Sequence, residues 1–312
     1  MPSPSYVLTR LLQIIPTFLL IMVVVFVLVR LLPGDPASAI LGERATDEAV
    51  VRINAQLGLD QPLPVQFAIF LERFLQGDLG NSIHLKIPVV ELIAERLPVT
   101  LMLTAYAALL ALLLALPLAF VASLRRDRGA DAVIRGAFQV GLSMPVFYIG
   151  LVLLTIFAAN LRWFPVGGFG ETLGDQLYHL FLPALTLALS LSAVLMRNLR
   201  ASIIEVLGAE YVDFARAKGL RPRIVMARHV LRNALISTVT LFGLSMGTLI
   251  GGAVITETVF AIPGAGRLMI DSIYGRDYPV VQGLTLALAI LVSLAFLITD
   301  LVQAALDPRI GR

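Results

Sequence analysis

Side chains that could do acid–base, nucleophilic or metal chemistry are scarce in this 312-residue sequence, and those present are not paired. The three histidines, His84, His179 and His229, lie far apart and in no metal-binding repeat such as H-E-x-x-H. No cysteine occurs, which removes disulfides, thiolate nucleophiles and cysteine-ligated zinc together. Lysine is found only at Lys86 and Lys218, and neither follows a glycine, so a phosphate-cradling loop ending in Gly-Lys-Ser/Thr is absent. No catalytic residue, metal or ATP site of its own is therefore expected. Asp35, Asp78 and His84 share one polar segment but form no recognisable catalytic constellation.

The composition accounts for this scarcity. Hydrophobic residues make up 58% and charged residues 14% of the chain, with a mean hydropathy of +0.89. A soluble domain carries about 25% charge, so lipid is the expected solvent. A net charge of +3 does not argue for nucleic acid, because the arginines flank apolar runs rather than forming one basic face.

Six stretches are long and apolar enough to cross a bilayer, a task that takes about 20 helical residues. They fall near 11–32, 99–123, 137–160, 179–198, 234–258 and 281–304. The first is too long for a signal-peptide core and lacks a following A-x-A-like site, so it is expected to be a retained span. The loops between the spans differ sharply in charge. The 124–136 and 199–233 loops hold eleven arginines and lysines, against three in the 161–178 and 259–280 loops. By the positive-inside rule the first pair is cytoplasmic, and both termini are expected inside.

Residues 33–98 then form an external segment. Thr46-Asp47-Glu48 reads as a helix start with Gly58 as its stop, and Pro64–Gln76 as a second short helix ended by Gly77. Together they suggest a small helical cap resting on the membrane surface. The chain divides into a first span plus cap (1–98), a five-helix core (99–304) and a tail (305–312).

The most informative segment is Ala209-Glu-Tyr-Val-Asp-Phe-Ala-Arg-Ala-Lys-Gly219. Helical spacing places Tyr211, Phe214, Ala215 and the stem of Lys218 on one face, with Glu210 and Asp213 on the other. Asp213 and Arg216 are set for an i,i+3 pair, and Gly219 can end the helix in a left-handed conformation before Pro222. A short amphipathic helix with aromatic knobs suits a partner's groove, although a helix resting on lipid headgroups has the same pattern.

Glu210-x4-Ala215-x-Ala217-x-Gly219, followed by Arg228-His229-x-Leu231-Arg232-Asn233-Ala234, resembles the cytoplasmic loop of ATP-binding-cassette (ABC) importer permeases of the dipeptide/oligopeptide/nickel branch. Asp213-Phe214-Ala215 stand at the Glu-Ala-Ala positions of the general family pattern. Further motifs resemble the first-permease type of that branch. They are Arg30-Leu-Leu-Pro-Gly-Asp-Pro36, Gly77-Asp-Leu-Gly-Asn-Ser82, Arg96-Leu-Pro-Val-Thr100, Trp163-Phe-Pro165, Glu257-Thr-Val-Phe-Ala-Ile-Pro-Gly-Ala-Gly-Arg267 and Arg276-Asp-Tyr-Pro-Val-Val-Gln-Gly283. The resemblance implies an all-α, six-span type I importer permease in a bacterial inner membrane, forming half of a translocation path. It implies a second homologous permease, two ABC ATPase subunits that bind ATP and magnesium, and an extracytoplasmic substrate-binding protein. Residues near 205–221 would be the coupling helix that enters the ATPase, with Glu210, Tyr211, Asp213, Phe214, Ala215, Arg216, Ala217, Lys218 and Gly219 as its contacts. Peptides are the first substrate expectation, with nickel complexes, glutathione and other small solutes possible in the same branch.

The fifth span carries Gly243, Gly247 and Gly251 at intervals of four, a stripe that lets another helix approach closely within the chain or across a subunit interface. Ser245 and Thr248 on the same span are candidates for lining a polar path, and Glu257, Pro263 and Gly264 for an external docking or gating element. Pro117, Pro145 and Pro183 are candidate kinks. An autonomous secondary transporter would instead need buried ion-coupling charges and repeated halves with broken helices. The spans hold almost no charge apart from Arg30, Glu257 and Asp300 near their ends, which argues against it.

Overall fold

A computed structural model describes residues 4–31, 46, 48 and 60–306. The helices among them are α1 (Pro4–Leu31), α2 (Leu63–Leu75), α3 (Val89–Leu124), α4 (Gly129–Ser143), α5 (Val146–Asn160), α6 (Leu173–Leu207), α7 (Glu210–Ala217), α8 (Pro222–Val259), α9 (Ala265–Gly275) and α10 (Tyr278–Leu306). Five are long and apolar enough to span a membrane, or six if α4 and α5 count as one bent span. The helix expected at Thr46–Gly58, Asp35 and residues 32–36 of the Arg30–Pro36 motif lie outside the described residues, apart from Thr46 and Glu48 as isolated positions.

α6 is the centre of the bundle. Two thirds of its apolar window is buried (67%), against 17–33% for the other four long helices. Its most extensive partner is α3, which turns Leu103, Ala107, Ala111, Ala115 and Ala119 inward, every fourth residue and all wholly buried. Lipid tails are as apolar as leucine, so helix association in a bilayer depends on close packing rather than on escape from water. A row of alanines brings the backbones together, and α6 fills the opposite side with Leu180, Ala184, Leu187, Ala188, Leu191 and Leu195.

The third expected span, 137–160, is not continuous. α4 and α5 meet at 107° across Met144 and Pro145. Proline lacks an amide hydrogen and clashes with the preceding turn, and it drives the residue before it out of the helical region. Met144 is accordingly extended (φ −96°, ψ 135°), and Pro145 opens α5 as its cap. Pro117 and Pro183, by contrast, sit inside unbroken helices. α3 also begins earlier than expected, so position 98/99 falls inside a continuous helix.

α1 and α10 run antiparallel, joined near one end by Arg10 and Asp300 (3.4 Å). α2 lies along α1. Phe67 and Phe70 meet Phe26 (ring centroids 5.2 and 5.8 Å), while Phe74 meets Phe18, about two turns away along α1 (5.5 Å). Its aromatic stripe finds the apolar side of a spanning helix and so turns the short helix parallel to it.

The glycine stripe of α8 resolves into two roles. Gly243 faces α10 so closely that a Cβ there would stand 1.9 Å from Thr299 Cγ2, and Gly247 lies in ordinary contact with Phe296 and Val292 of α10. Gly251 faces open space within this chain. Gly243→Ala is therefore expected to lower the thermal midpoint of the purified chain, at an overpacking cost of about 1–3 kcal/mol. Gly251→Ala should leave the midpoint unchanged or slightly raised, because it adds only helix propensity. Equal losses from both in a thermal-shift assay would contradict this packing.

Candidate coupling surface and the helix junctions behind it

α7 is anchored by two small apolar side chains. Val212 is wholly buried and Ala215 nearly so, both in the main core cluster with Ile203, Val225 and Val230. Burying the valine stabilises by about 1.5 kcal/mol or more, whereas the exposed Asp213–Arg216 pair (3.2 Å) supplies a few tenths. Burial therefore holds the helix, and the ion pair decorates it. Val212 was not singled out from the sequence, and Ala215 turns toward the core with it rather than joining the outer aromatic face. Tyr211 and Phe214 remain outward, at 44% and 67% exposure.

The outer face is nonetheless positioned. Asn233 of α8 donates to the Tyr211 hydroxyl (3.2 Å) and to its own helix at His229 O (2.7 Å). At the other end Gly219 adopts φ +74°, with Gly219 N bonded to Arg216 O (2.9 Å) and Leu220 N to Ala215 O (3.4 Å). This left-handed closure satisfies the last carbonyls and turns the chain into α8 within five residues. A π-helical turn, Val225–Leu231, follows directly and packs against α7. Glu210, Arg216, Ala217 and Lys218 are exposed around the same knob.

The candidate path residues stand in the middle of α8. Ser245 and Thr248 bond back to Leu241 O and Ser245 O (both 2.8 Å), so their hydroxyls are satisfied within the helix. Thr248 and Gly251 share an exposed face with Leu244 and Ile255.

Glu257, Pro263 and Gly264 belong to a buried junction at the far end of α8. Glu257 is wholly buried, and its carboxylate caps α9. It accepts from Arg267 N (3.0 Å) and Gly266 N, while Thr100 of α3 donates its hydroxyl to Oε1 (2.6 Å). Thr100 Oγ1 in turn accepts from Ala265 N (2.9 Å). Three amides that open α9 thus find acceptors, and the anion sits at the positive end of the helix. Close approach requires glycine: a Cβ at Gly264 would stand 2.3 Å from the Glu257 carboxyl carbon. Arg96 reaches Pro263 O (3.4 Å) from the same turn of α3.

A second junction lies nearby. Asp277, between α9 and α10, accepts from Ser82 Oγ (2.5 Å), Ile83 N (3.1 Å) and His84 N (3.3 Å), and His84 Nε2 meets Gly275 O. Motifs distant in sequence therefore interlock in pairs. Arg96–Thr100 meets Glu257–Arg267, and Gly77–Ser82 meets Arg276–Gly283. Thr100, Ser82 and Asp277 were within those motifs but not distinguished as junction residues, and Asn233 was within the Arg228–Ala234 motif without being distinguished as a partner of Tyr211. Coupling and junction groups stand at opposite ends of α8, a helix of 38 residues and so about 57 Å long.

Glu257→Ala is expected to destabilise strongly, because each buried donor left without a partner costs about 1–3 kcal/mol. Glu257→Gln keeps one acceptor and should fall between. A thermal-shift series in detergent in which alanine matched wild type would contradict the capping role.

Residues 111–312 match the family described as binding-protein-dependent transport system inner membrane component, and residues 4–104 match its N-terminal companion. The glutathione transport system permease protein GsiC of Salmonella choleraesuis (strain SC-B67) is 42% identical over 306 residues, covering 98% of both chains. GsiC of Escherichia coli (strain K12) is 40% identical over the same span, again with 98% of each chain covered. Among solved structures, the inward-facing MetNI methionine ABC transporter aligns with a TM-score of 0.58 at 17% identity, covering 69% of this chain and 96% of that one. An amino acid ABC transporter aligns at 0.51 and 18% identity, covering 70% and 94%. These two show a common fold. Family match, full-length relatives and helix architecture agree: the chain belongs to the binding-protein-dependent transport system inner membrane components, the permease subunits of ABC importers, in their dipeptide/oligopeptide/nickel-type branch.

Proposed function

We propose that this permease forms half of the import path for small peptides, the tripeptide glutathione among them, and that α7 is the element through which a separate ATPase drives it. The observation that carries the coupling role is α7 itself: eight residues rooted by Val212 and Ala215, with Tyr211 and Phe214 offered outward. The glutathione permeases at 42% identity support the substrate class. The chain works with a second homologous permease, two ATPase subunits that hold ATP and magnesium, and an extracytoplasmic binding protein. Eleven basic residues on one set of loops against three on the other support cytoplasmic termini and a cytoplasmic α7.

The test is ATP-dependent uptake into proteoliposomes by the complex, with the binding protein supplied on the outer side. Glutathione and dipeptides are expected to enter, and transport of neither would overturn the substrate assignment. Phe214→Ala and Gly219→Pro should each cut uptake by about tenfold or more while membrane insertion stays normal, since proline cannot adopt φ +74°. Undiminished uptake by both would overturn the coupling role. The cysteine-free sequence also allows orientation to be read by single-cysteine labelling, with residue 214 expected to react only from the cytoplasmic side.

A further inference from the structure

We propose that the cleft between α4 and α6 is a binding site for the phosphodiester headgroup of an anionic phospholipid. The cleft encloses about 620 Å³ at the α7 end of the bundle. One part of its lining is basic, from Arg135, Arg197 and Arg200, and the other is apolar, from Phe138, Leu142 and Met196. The basic part is built rather than incidental. Arg200 is mostly buried and grips the wholly buried Asp131 through two bonds (2.7 and 2.6 Å). Arg135 approaches the same carboxylate at 3.4 Å, and Arg197 donates to Gln139 Oε1 (2.7 Å).

Asp131, with Asp127 at longer range, faces three guanidiniums, which still leaves an excess of positive charge. Each guanidinium has five donors, and these contacts use only a few of them. The remaining N–H groups of Arg135 and Arg197 suit phosphate oxygens, which a planar guanidinium binds in pairs. The occupant is also amphiphilic by the shape of the site. An apolar wall beside a basic end fits an acyl chain beneath a phosphate, and a small free anion would leave that wall uncovered. Outside the cleft, Val133 and Val140 continue the apolar surface of α4, at 72% and 57% exposure. Basic pockets between membrane helices select anionic headgroups by the same charge balance.

Native mass spectrometry of the full chain, equilibrated with equal phosphatidylglycerol and phosphatidylcholine, reads the site directly. The chain is expected to retain phosphatidylglycerol in at least about tenfold preference. Arg135→Gln with Arg197→Gln should abolish that preference, whereas Arg125→Gln with Arg126→Gln, exposed on the neighbouring loop, should preserve it. Arg200 is left intact because its bond to Asp131 holds α4 to α6, and an unchanged thermal midpoint shows that the tested variants fold. Equal retention of both lipids, or full preference in the cleft variant, would overturn the proposal. So would displacement of the lipid by inorganic phosphate at matching concentration, which would make the ligand a free anion. Loss of the lipid on assembly with a second permease would make the cleft a subunit contact and overturn it equally.

Discussion

Within a membrane protein every helix that starts in the interior must find acceptors for its first amides, because no water is there to supply them. The start of α9 is such a place, and one carboxylate and one hydroxyl meet the demand. Glu257 closes α8 and caps α9, and Thr100 binds both the carboxylate and the first amide. An isolated buried anion would cost several kcal/mol, so this one persists only while its donors are in place. The arrangement dictates its surroundings: glycine at 264 and 266, α3 near enough for Thr100, and a sharp turn at Pro263. Three helices are thereby fixed at one end of the bundle.

The opposite end is held differently. There α7 is attached to α6 and α8 through Val212, Ala215 and Asn233, with its last carbonyls closed by Gly219. Apolar roots and a few backbone bonds hold a short helix that keeps Tyr211 and Phe214 exposed. On the proposed reading, a displacement of α7 passes to both long helices at once, because it is packed against the π-helical turn of α8 and follows α6 by two residues. In the glycine-lined seam between α8 and α10, the absence of a side chain at Gly243 lets Thr299 fill the space.

The interior rests on shape more than on polarity. α3 and α6 meet along alanines, and the polar exceptions are local: besides the Glu257 and Asp277 junctions, they include the Asn198, Ser202, Ser237 and Thr238 hydroxyl and amide contacts between α6 and α8, and the Asp131–Arg200 pair joining α4 to α6. Each such contact ties two helices at a defined height, which packing of smooth apolar rows would not specify.

Composition and local pattern were enough to place the spans, the basic loops and the short helix before Gly219. Lipid demands long apolar runs, and a helix end demands a left-handed residue; both are properties of neighbouring residues. The family itself was legible because its motifs occur in order along the chain. What no local pattern could show is which motif meets which: Ser82 and Asp277 are 195 positions apart, and Thr100 and Glu257 are 157 apart. Nor could spacing tell that Gly243 is filled by Thr299 while Gly251 stays open, or that Val212 rather than Phe214 is the root of α7. The 107° break at Pro145, beside the unbroken helices that contain Pro117 and Pro183, has the same origin. Proline weakens the interior of a helix, but the neighbours packed around it determine whether the chain turns.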